Sequence, residues 1–338
     1  MTAPVAPTLS IVVPVHDEEA VLARFHGRLA AVLDTLGCDA EIVYVNDGSA
    51  DGSWRNLVEL HDADPRVSVI DLSRRFGKEA AMSAGLDDAR GDAVIVIDAD
   101  LQDPPECIPA MVGEWRAGHD VVVMCRRSRA ADGWLKRATA AVFYRVIGRM
   151  SDIDIPENAG DFRLLSRRAV MAMRAFPERS RFMKGLFAWI GFPTRTLEYD
   201  RAGRLAGTTK WNYWRLWNFA LEGITSFSAV PLKLASYIGL ATSLAAFFYG
   251  VYVVVKTLLI GDPVRGYPTL VTLILFLGGL QLMALGIIGE YLARMFVEVK
   301  QRPLYLVRER LAPRHGDAAQ RDRLMEDERR EVVGSPRR

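Results

Sequence analysis

The chain has 338 residues, 50% of them hydrophobic and 25% charged, with a mean hydropathy of +0.08. This excludes a chain disordered throughout and is apolar for a wholly soluble one. With 43 Lys and Arg against 41 Asp and Glu, the net charge of +2 provides no bulk attraction to nucleic acid, so partners must be read from local sequence. Cys38, Cys107 and Cys125 form no CxxC pair, and the 5 histidines show no ligand spacing; a disulfide framework and a zinc site are therefore not expected, and a reducing compartment fits.

The opening MTAPVAPTLS lacks the basic start and long apolar core of a signal peptide, so the N-terminal part is expected to stay in the cytoplasm. From Leu9 to about Cys125 short β-branched runs alternate with longer helical stretches. LSIVVPV precedes a helix from about Glu18 to Leu36, and EIVYVN one after Asp51. VSVIDL precedes Lys78 to Ala89, AVIVID precedes Pro105 to Ala117, and DVVVMC closes the series. This βαβ series predicts an α/β fold with a mostly parallel sheet covered on both faces, and the IVIV runs without polar alternation fit that burial. Ligands of such sheets lie at the carboxyl ends of the strands. The loops there read PVHDEE, NDGSADGS, SRRFGKE and DADLQDPPE.

Further along, Leu234 to Val255 and Gly266 to Gly289 each run past 20 residues without a charge, matching the roughly 20 that cross about 30 Å of hydrocarbon. They predict a transmembrane hairpin. Lys210, Arg215 and Lys233 precede the first span, and Arg294, Lys300 and Arg302 follow the second, so both ends should be cytoplasmic. Trp211, Trp214, Trp217, Leu221, Ile224 and Phe227 fall at helical spacing and read as a helix lying in the interface. The expected organisation is a cytoplasmic domain over 1–210, an interfacial helix over 211–232, a hairpin over 233–296 and a tail over 297–338, largely disordered after 308. The competing reading of the apolar segments is a buried helix pair in a soluble domain.

Asp98 and Asp100 leave the strand AVIVI at i and i+2, followed by Gln102 and Asp103. Two hard carboxylates on a rigid strand end suit Mg²⁺ or Mn²⁺ when substrate phosphates complete the shell, although acids at a strand end also serve simply to solvate it. Asp47 ends the second strand, where it can accept a hydrogen bond from a base or ribose; the bland alternative is a helix-capping turn by Ser49 or Asp51. GRLAGTTK (Gly203 to Lys210) only superficially matches a phosphate loop, its Lys being one position late, and no GxGxxG follows a strand.

VPVHDEE, VNDGSADGS, SRRFGKEAAMSAGL, DADLQDPPE, DFRLLSRR, RSRFMKGLFAWIGF and RLAGTTKW, in this order and followed by two spans, resemble the glycosyltransferases of family 2 with the GT-A fold. The similarity is to the membrane-anchored polyprenyl-phosphate glycosyltransferases related to dolichyl-phosphate mannose synthase and to bactoprenol glucosyltransferases, and it reaches about residue 307. Arg75 departs from the Asn usual before FGK, and the QxxRW of processive polysaccharide synthases is not found. The resemblance implies inverting transfer of one sugar from a nucleotide diphosphate sugar, UDP-glucose being the favoured guess, to undecaprenyl phosphate at the inner membrane. GDP-mannose, a processive synthase and a noncatalytic scaffold are the alternatives.

It further implies a divalent cation on Asp100 and Gln102, and nucleotide contacts from Val13, Pro14, Glu18, Asp47, Lys78 and Asp98. Asp161 would lie near the reaction centre, orienting a sugar hydroxyl or the acceptor; a structural acid buried at a helix start is the alternative. The acceptor is a phosphate monoester, largely ionised at pH 7, so cations matter more than a general base. Arg126 and Arg137, from the cluster Arg126, Arg127, Arg129, Lys136 and Arg137, are assigned to its phosphate, with Arg204 and Lys210 near the diphosphate or acceptor; a basic rim facing anionic lipid is the alternative for each. Two spans per chain would also suit a homo-oligomer.

Overall fold

The computed structural model describes residues 8–127, 159–179, 181–199, 230–260 and 266–313. Eight strands form one sheet in the order β7-β5-β6-β4-β1-β2-β3-β8. Five of them are those expected: β1 (Leu9–Val15), β2 (Ala40–Asn46), β3 (Val67–Leu72), β4 (Ala93–Val96) and β5 (Val121–Arg126). β1, β2, β3 and β4 run parallel. With β7 (Thr194–Tyr199) parallel to β5, this is the mostly parallel sheet of the GT-A fold.

Helices cover both faces, each held by an apolar stripe. On one face α1 (Leu22–Leu36) buries Leu22, Phe25, Leu29 and Leu33, a three-and-four spacing that makes one side of the helix continuous with the core. α2 (Ser53–Ala63) and α4 (Ile108–Arg116) complete that layer through Leu57, Ile108, Met111 and Val112. On the other face α3 (Lys78–Asp88) is buried from Ala80 to Leu86. Its residues are small because the helix lies close on the sheet: a Cβ at Gly85 would come within 2.2 Å of Val12 Cγ1. This close seat fixes the helix start, and with it Lys78, over the strand ends. α5 (Arg167–Arg174) and α6 (Met183–Trp189) continue the layer.

β6 (Ala159–Ser166) is inserted antiparallel between β4 and β5, with Val96 opposite Arg163. Continuing that register by two residues brings Asp161 level with Asp98. DFRL thus lies in a strand, not at the helix start that its sequence also suggested.

The apolar segments form α7 (Val230–Ile260) and α8 (Tyr267–Lys300). Ala235–Tyr252 and Phe276–Lys300 are long and apolar enough to cross a membrane, and neither is buried within the molecule. Phe247, Phe248, Phe276 and Leu282 stand 63–72% exposed, which disfavours the buried helix pair of a soluble domain. The interfacial helix expected over 211–232 lies outside the described residues but for its last three.

One boundary needs correction. The tail was expected from 297, with disorder after 308, but α8 continues to Lys300 and Val307–Leu311 forms β8, antiparallel to β3. The charges of VRERL disguised an edge strand, where exposed charges are ordinary. Arg308 pairs with the buried Asp71 at 3.3 Å, and Arg310 pairs with Asp88. The sheet therefore closes with a segment that follows the apolar helices, and Glu298 near the end of α8 accepts the Arg179 backbone N–H at 2.9 and 3.0 Å. Residues 314–338 lie outside the description.

Candidate active site

The loops leaving β1 and β2 lace together. Asp17 N–H donates to Ser49 Oγ and Ala50 N–H returns to Asp17 Oδ1, while Glu19 N–H donates to Asp51 and Gly52 N–H to Glu19 Oε2. Asp51 also accepts from Ser53 N–H at 3.0 Å, a local turn just before α2, whose N-cap is Gly52 without a side-chain cap bond. Asp47 is 3% exposed and accepts from Phe76 N–H at 2.6 Å and Gly77 N–H at 3.0 Å, tying the β2 loop to the segment that opens α3. Gly48 seals the junction. At φ +58°, with a built Cβ only 2.4 Å from Arg75 N, it admits no side chain.

Of the other residues assigned to the nucleotide, Val13 is fully buried in the core, so its side chain packs and only its main chain is left for a ligand. Pro14 is half-buried and sits in register with Val45. Glu18 donates its N–H to Ser53 Oγ at 2.9 Å. Arg75 is exposed, and beside it the Arg74 guanidinium lies over the Phe76 ring at 4.1 Å.

The chemistry gathers around Lys78, at the first turn of α3. Its Nζ donates to Asp98 at 2.6 Å and to Asp161 Oδ2 at 2.5 Å, so the acid of β4's end and the acid of the inserted strand share one ammonium. Burial works against the Lys78 charge, but Asp161 and Asp98 overcome it and raise its pKa. For Asp161 burial is outweighed by Lys78, Lys184 and Arg163, and the carboxyl is held well below its usual range. Asp98 goes the other way: burial, with repulsion from Asp161 and Asp100, exceeds the help from Lys78. Two carboxylates sharing one ammonium where the strand-end loops converge make this a candidate functional cluster.

Asp100 Oδ1 accepts the Gln102 N–H at 3.1 Å across Leu101, a non-glycine residue at φ +60°. That left-handed turn sets the Asp100 carboxylate and Gln102 amide on one rigid corner. Among the described residues no three of His, Cys, Asp and Glu converge as a finished metal centre. The donors here are hard oxygens on a strand end, which fits a cation that takes part of its shell from phosphates and water.

Arg126, at the end of β5, lies beside the Tyr199 hydroxyl and 4.0 Å from a Cβ built at Gly160; its Nε is buried without a partner. Tyr199 donates to Asp103, and Asp103 is pushed up to about 6 by burial and by Asp98. The structure thus joins Arg126 to the DADLQD loop. Arg137, Arg204 and Lys210 lie outside the described residues.

Five residues were not singled out from sequence: Glu79, Asp103, Arg163, Lys184 and Tyr199. Arg163 is 3% exposed, donates to Gly160 O at 2.7 Å and stacks over Phe187 at 3.9 Å. Burial lowers its pKa to about 10. Glu79 is pushed up to about 8 by burial and then by Asp161, with Oε2 unpartnered. The signal for Glu79, Asp103, Arg163 and Lys184 was their place inside quoted motifs; burial, which makes them unusual, is not written in the sequence.

Residues 10–174 match the family described as Glycosyl transferase family 2, and residues 230–295 match the GtrB C-terminal hairpin. An uncharacterized glycosyltransferase of Synechocystis sp. is 52% identical over 88% of this chain and 94% of its own. The chain belongs to glycosyl transferase family 2. A bactoprenol glucosyl transferase of Shigella phage SfII is 48% identical over 89% of this chain and 97% of its own. Among solved structures, glucosyl-3-phosphoglycerate synthase from Mycobacterium tuberculosis in complex with Mn²⁺, UDP and phosphoglyceric acid is 20% identical, covering 65% of this chain and 76% of that one with a TM-score of 0.45. The family membership makes this chain a glycosyltransferase and the strand-end cluster its candidate active site.

Proposed function

We propose that this glycosyltransferase moves one glucose from UDP-glucose to the phosphate of undecaprenyl (bactoprenol) phosphate, with inversion, at the cytoplasmic face of the inner membrane. The observation that carries this is near-full-length similarity to bactoprenol glucosyl transferases, at 47–48% identity, on a chain whose site holds the Lys78–Asp98–Asp161 cluster. The two apolar helices and the basic residues flanking them support a hairpin with both ends cytoplasmic.

The acceptor phosphate attacks the anomeric carbon as its bond to the diphosphate breaks. The nucleophile is already ionised near neutrality, so the protein's task is to orient two anions and stabilise the charge gathered on the leaving group. Asp100 and Gln102 would hold Mg²⁺ or Mn²⁺, which supplies charge neutralisation at the diphosphate. Lys78 adds a fixed positive charge, kept in place by Asp98 and Asp161. Asp161, one strand over from Asp98, is suited to orient the transferred sugar. Arg126 takes the acceptor phosphate by a charge-assisted hydrogen bond, and Arg137, Arg204 and Lys210 are assigned to the same anions.

The test is to incubate the purified full-length protein with undecaprenyl phosphate and separately with UDP-glucose, UDP-N-acetylglucosamine and GDP-mannose, and to weigh the lipid product. A hexose added only from UDP-glucose is expected. Product from GDP-mannose alone would change the donor, and no lipid product from any donor would reject the reading.

A further inference from the structure

We propose that Lys184 is a phosphate-binding residue of this site, a role that rests on the glycosyl-transfer reading above. Lys184 opens α6 within RSRFMKGLFAWIGF. The Met183 N–H beside it donates to the Glu79 carboxylate, which brings the start of α6 against the first turn of α3, and Asp161, Lys78, Arg163 and Glu79 act on the Lys184 charge. Asp161 is felt by three cations, Lys78, Lys184 and Arg163, and its Oδ2 is already held by Lys78 at 2.5 Å. Arg163 is directed to Gly160 O and the Phe187 ring. Among the described residues Lys184 has no hydrogen bond and no ion pair within 4 Å.

Glu79 does not supply the missing charge, since its Oε2 is buried and unpartnered and burial holds it protonated to about pH 8. Burial also depresses the Lys184 pKa. A half-buried ammonium that shares the single carboxylate of Asp161 with Lys78 and Arg163 is costly. An arriving anion removes that cost, and the anions of this reaction are phosphates. The segment leading into α6 is hung on α8, since Arg179 N–H donates to Glu298. Lys184 therefore stands on the piece of the domain tied to the apolar helices, and an oxygen of the lipid's phosphate is the expected partner, the donor's diphosphate being the other source of the same chemistry.

Lys184→Ala and Lys184→Arg in the full-length protein separate the sources. Calorimetry with UDP-glucose reads the donor, turnover titrated with undecaprenyl phosphate reads the acceptor, and thermal unfolding reads the fold. Losing a charge-assisted contact should lower one affinity or kcat/KM by about 10- to 100-fold in Lys184→Ala, with the unfolding midpoint unchanged or raised and Lys184→Arg recovering much of the loss. A loss confined to the acceptor assigns the lipid phosphate, and one confined to the donor assigns the diphosphate. Unchanged values of both, or a loss that tracks a lowered midpoint and is not recovered by Arg, overturn the proposal. A wild-type protein that binds UDP-glucose yet glycosylates no lipid would reject the functional reading while leaving the donor arm to judge Lys184.

Discussion

Two acid-rich corners sit side by side at the carboxyl ends of β1, β2 and β4, and they do different work. At the β2 end, Asp17, Glu19, Asp47 and Asp51 each accept backbone N–H groups. A carboxylate so satisfied is a structural part, locking three loops into one surface. At the β4 end, Asp98, Asp103 and Asp161 meet side chains instead: Lys78 for two of them and Tyr199 for the third. Burial drives Asp98 and Asp103 up against those contacts, whereas at Asp161 burial is outweighed by Lys78, Lys184 and Arg163, which drive it down. The same residue type builds the frame where backbone donors are plentiful and the chemistry where side-chain charges crowd.

The largest effect should come from the reactive corner. Asp100→Ala removes a cation ligand from a strand-end turn whose backbone is set by neighbouring residues. Sugar transfer is expected to fall by about 10²–10³-fold or more, while the unfolding midpoint stays near that of the parent. Transfer should also stop in chelator and return with Mn²⁺ or Mg²⁺. Full turnover in chelator would remove the cation from the scheme and make Asp100 another frame residue.

Asp47→Ala should show the reverse pattern, with stability falling first. It strands the N–H groups of Phe76 and Gly77, and a buried donor left unsatisfied costs about 1–3 kcal/mol. A loss of about 2–4 kcal/mol in chemical denaturation is expected, with donor binding weakened because the loop before Lys78 loses its anchor. A variant as stable as the parent that binds no nucleotide would instead make Asp47 a direct ligand contact and dissolve the contrast between the corners.

That contrast was only half legible beforehand. The parallel strands were readable because Ile11 to Val13, Ala93 to Val96 and Val121 to Cys125 are unbroken apolar runs, and strand order put their polar loops together. The insertion of β6 was not, since pairing between residues 96 and 163 is set by packing over a long stretch of chain and leaves no local mark. β8 was missed because VRERL carries three charges, the composition of a solvated tail as much as of an edge strand. Within the site, Asp98, Asp100 and Lys78 stood out by spacing and resemblance. Glu79 and Lys184 did not, because a charged residue on a helix reads as surface until the tertiary fold buries it.

The effect confined to one proton, and the one that probes this buried charge directly, is the pH dependence conferred by Glu79. Its folded pKa of about 8 lies above the ordinary value of 4.5. Between these values the folded protein keeps a proton that the unfolded chain has released. The stabilisation associated with that proton is complete below about pH 4.5 and is lost as pH rises through about 8. The slope between the two values is about 1.4 kcal/mol per unit, and the attraction of Lys78 and Lys184 is already contained in the folded value. Glu79→Gln holds the neutral form at every pH. The stability of the variant relative to the parent should therefore grow by about 3–4 kcal/mol between pH 5 and pH 8, then level off above the folded pKa. Urea midpoints measured across that range give the difference. A gap that is flat or shrinks with pH would mean that Glu79 is ionised in the folded protein and neutralised by Lys184, and the reactive corner would then hold no unmatched cation.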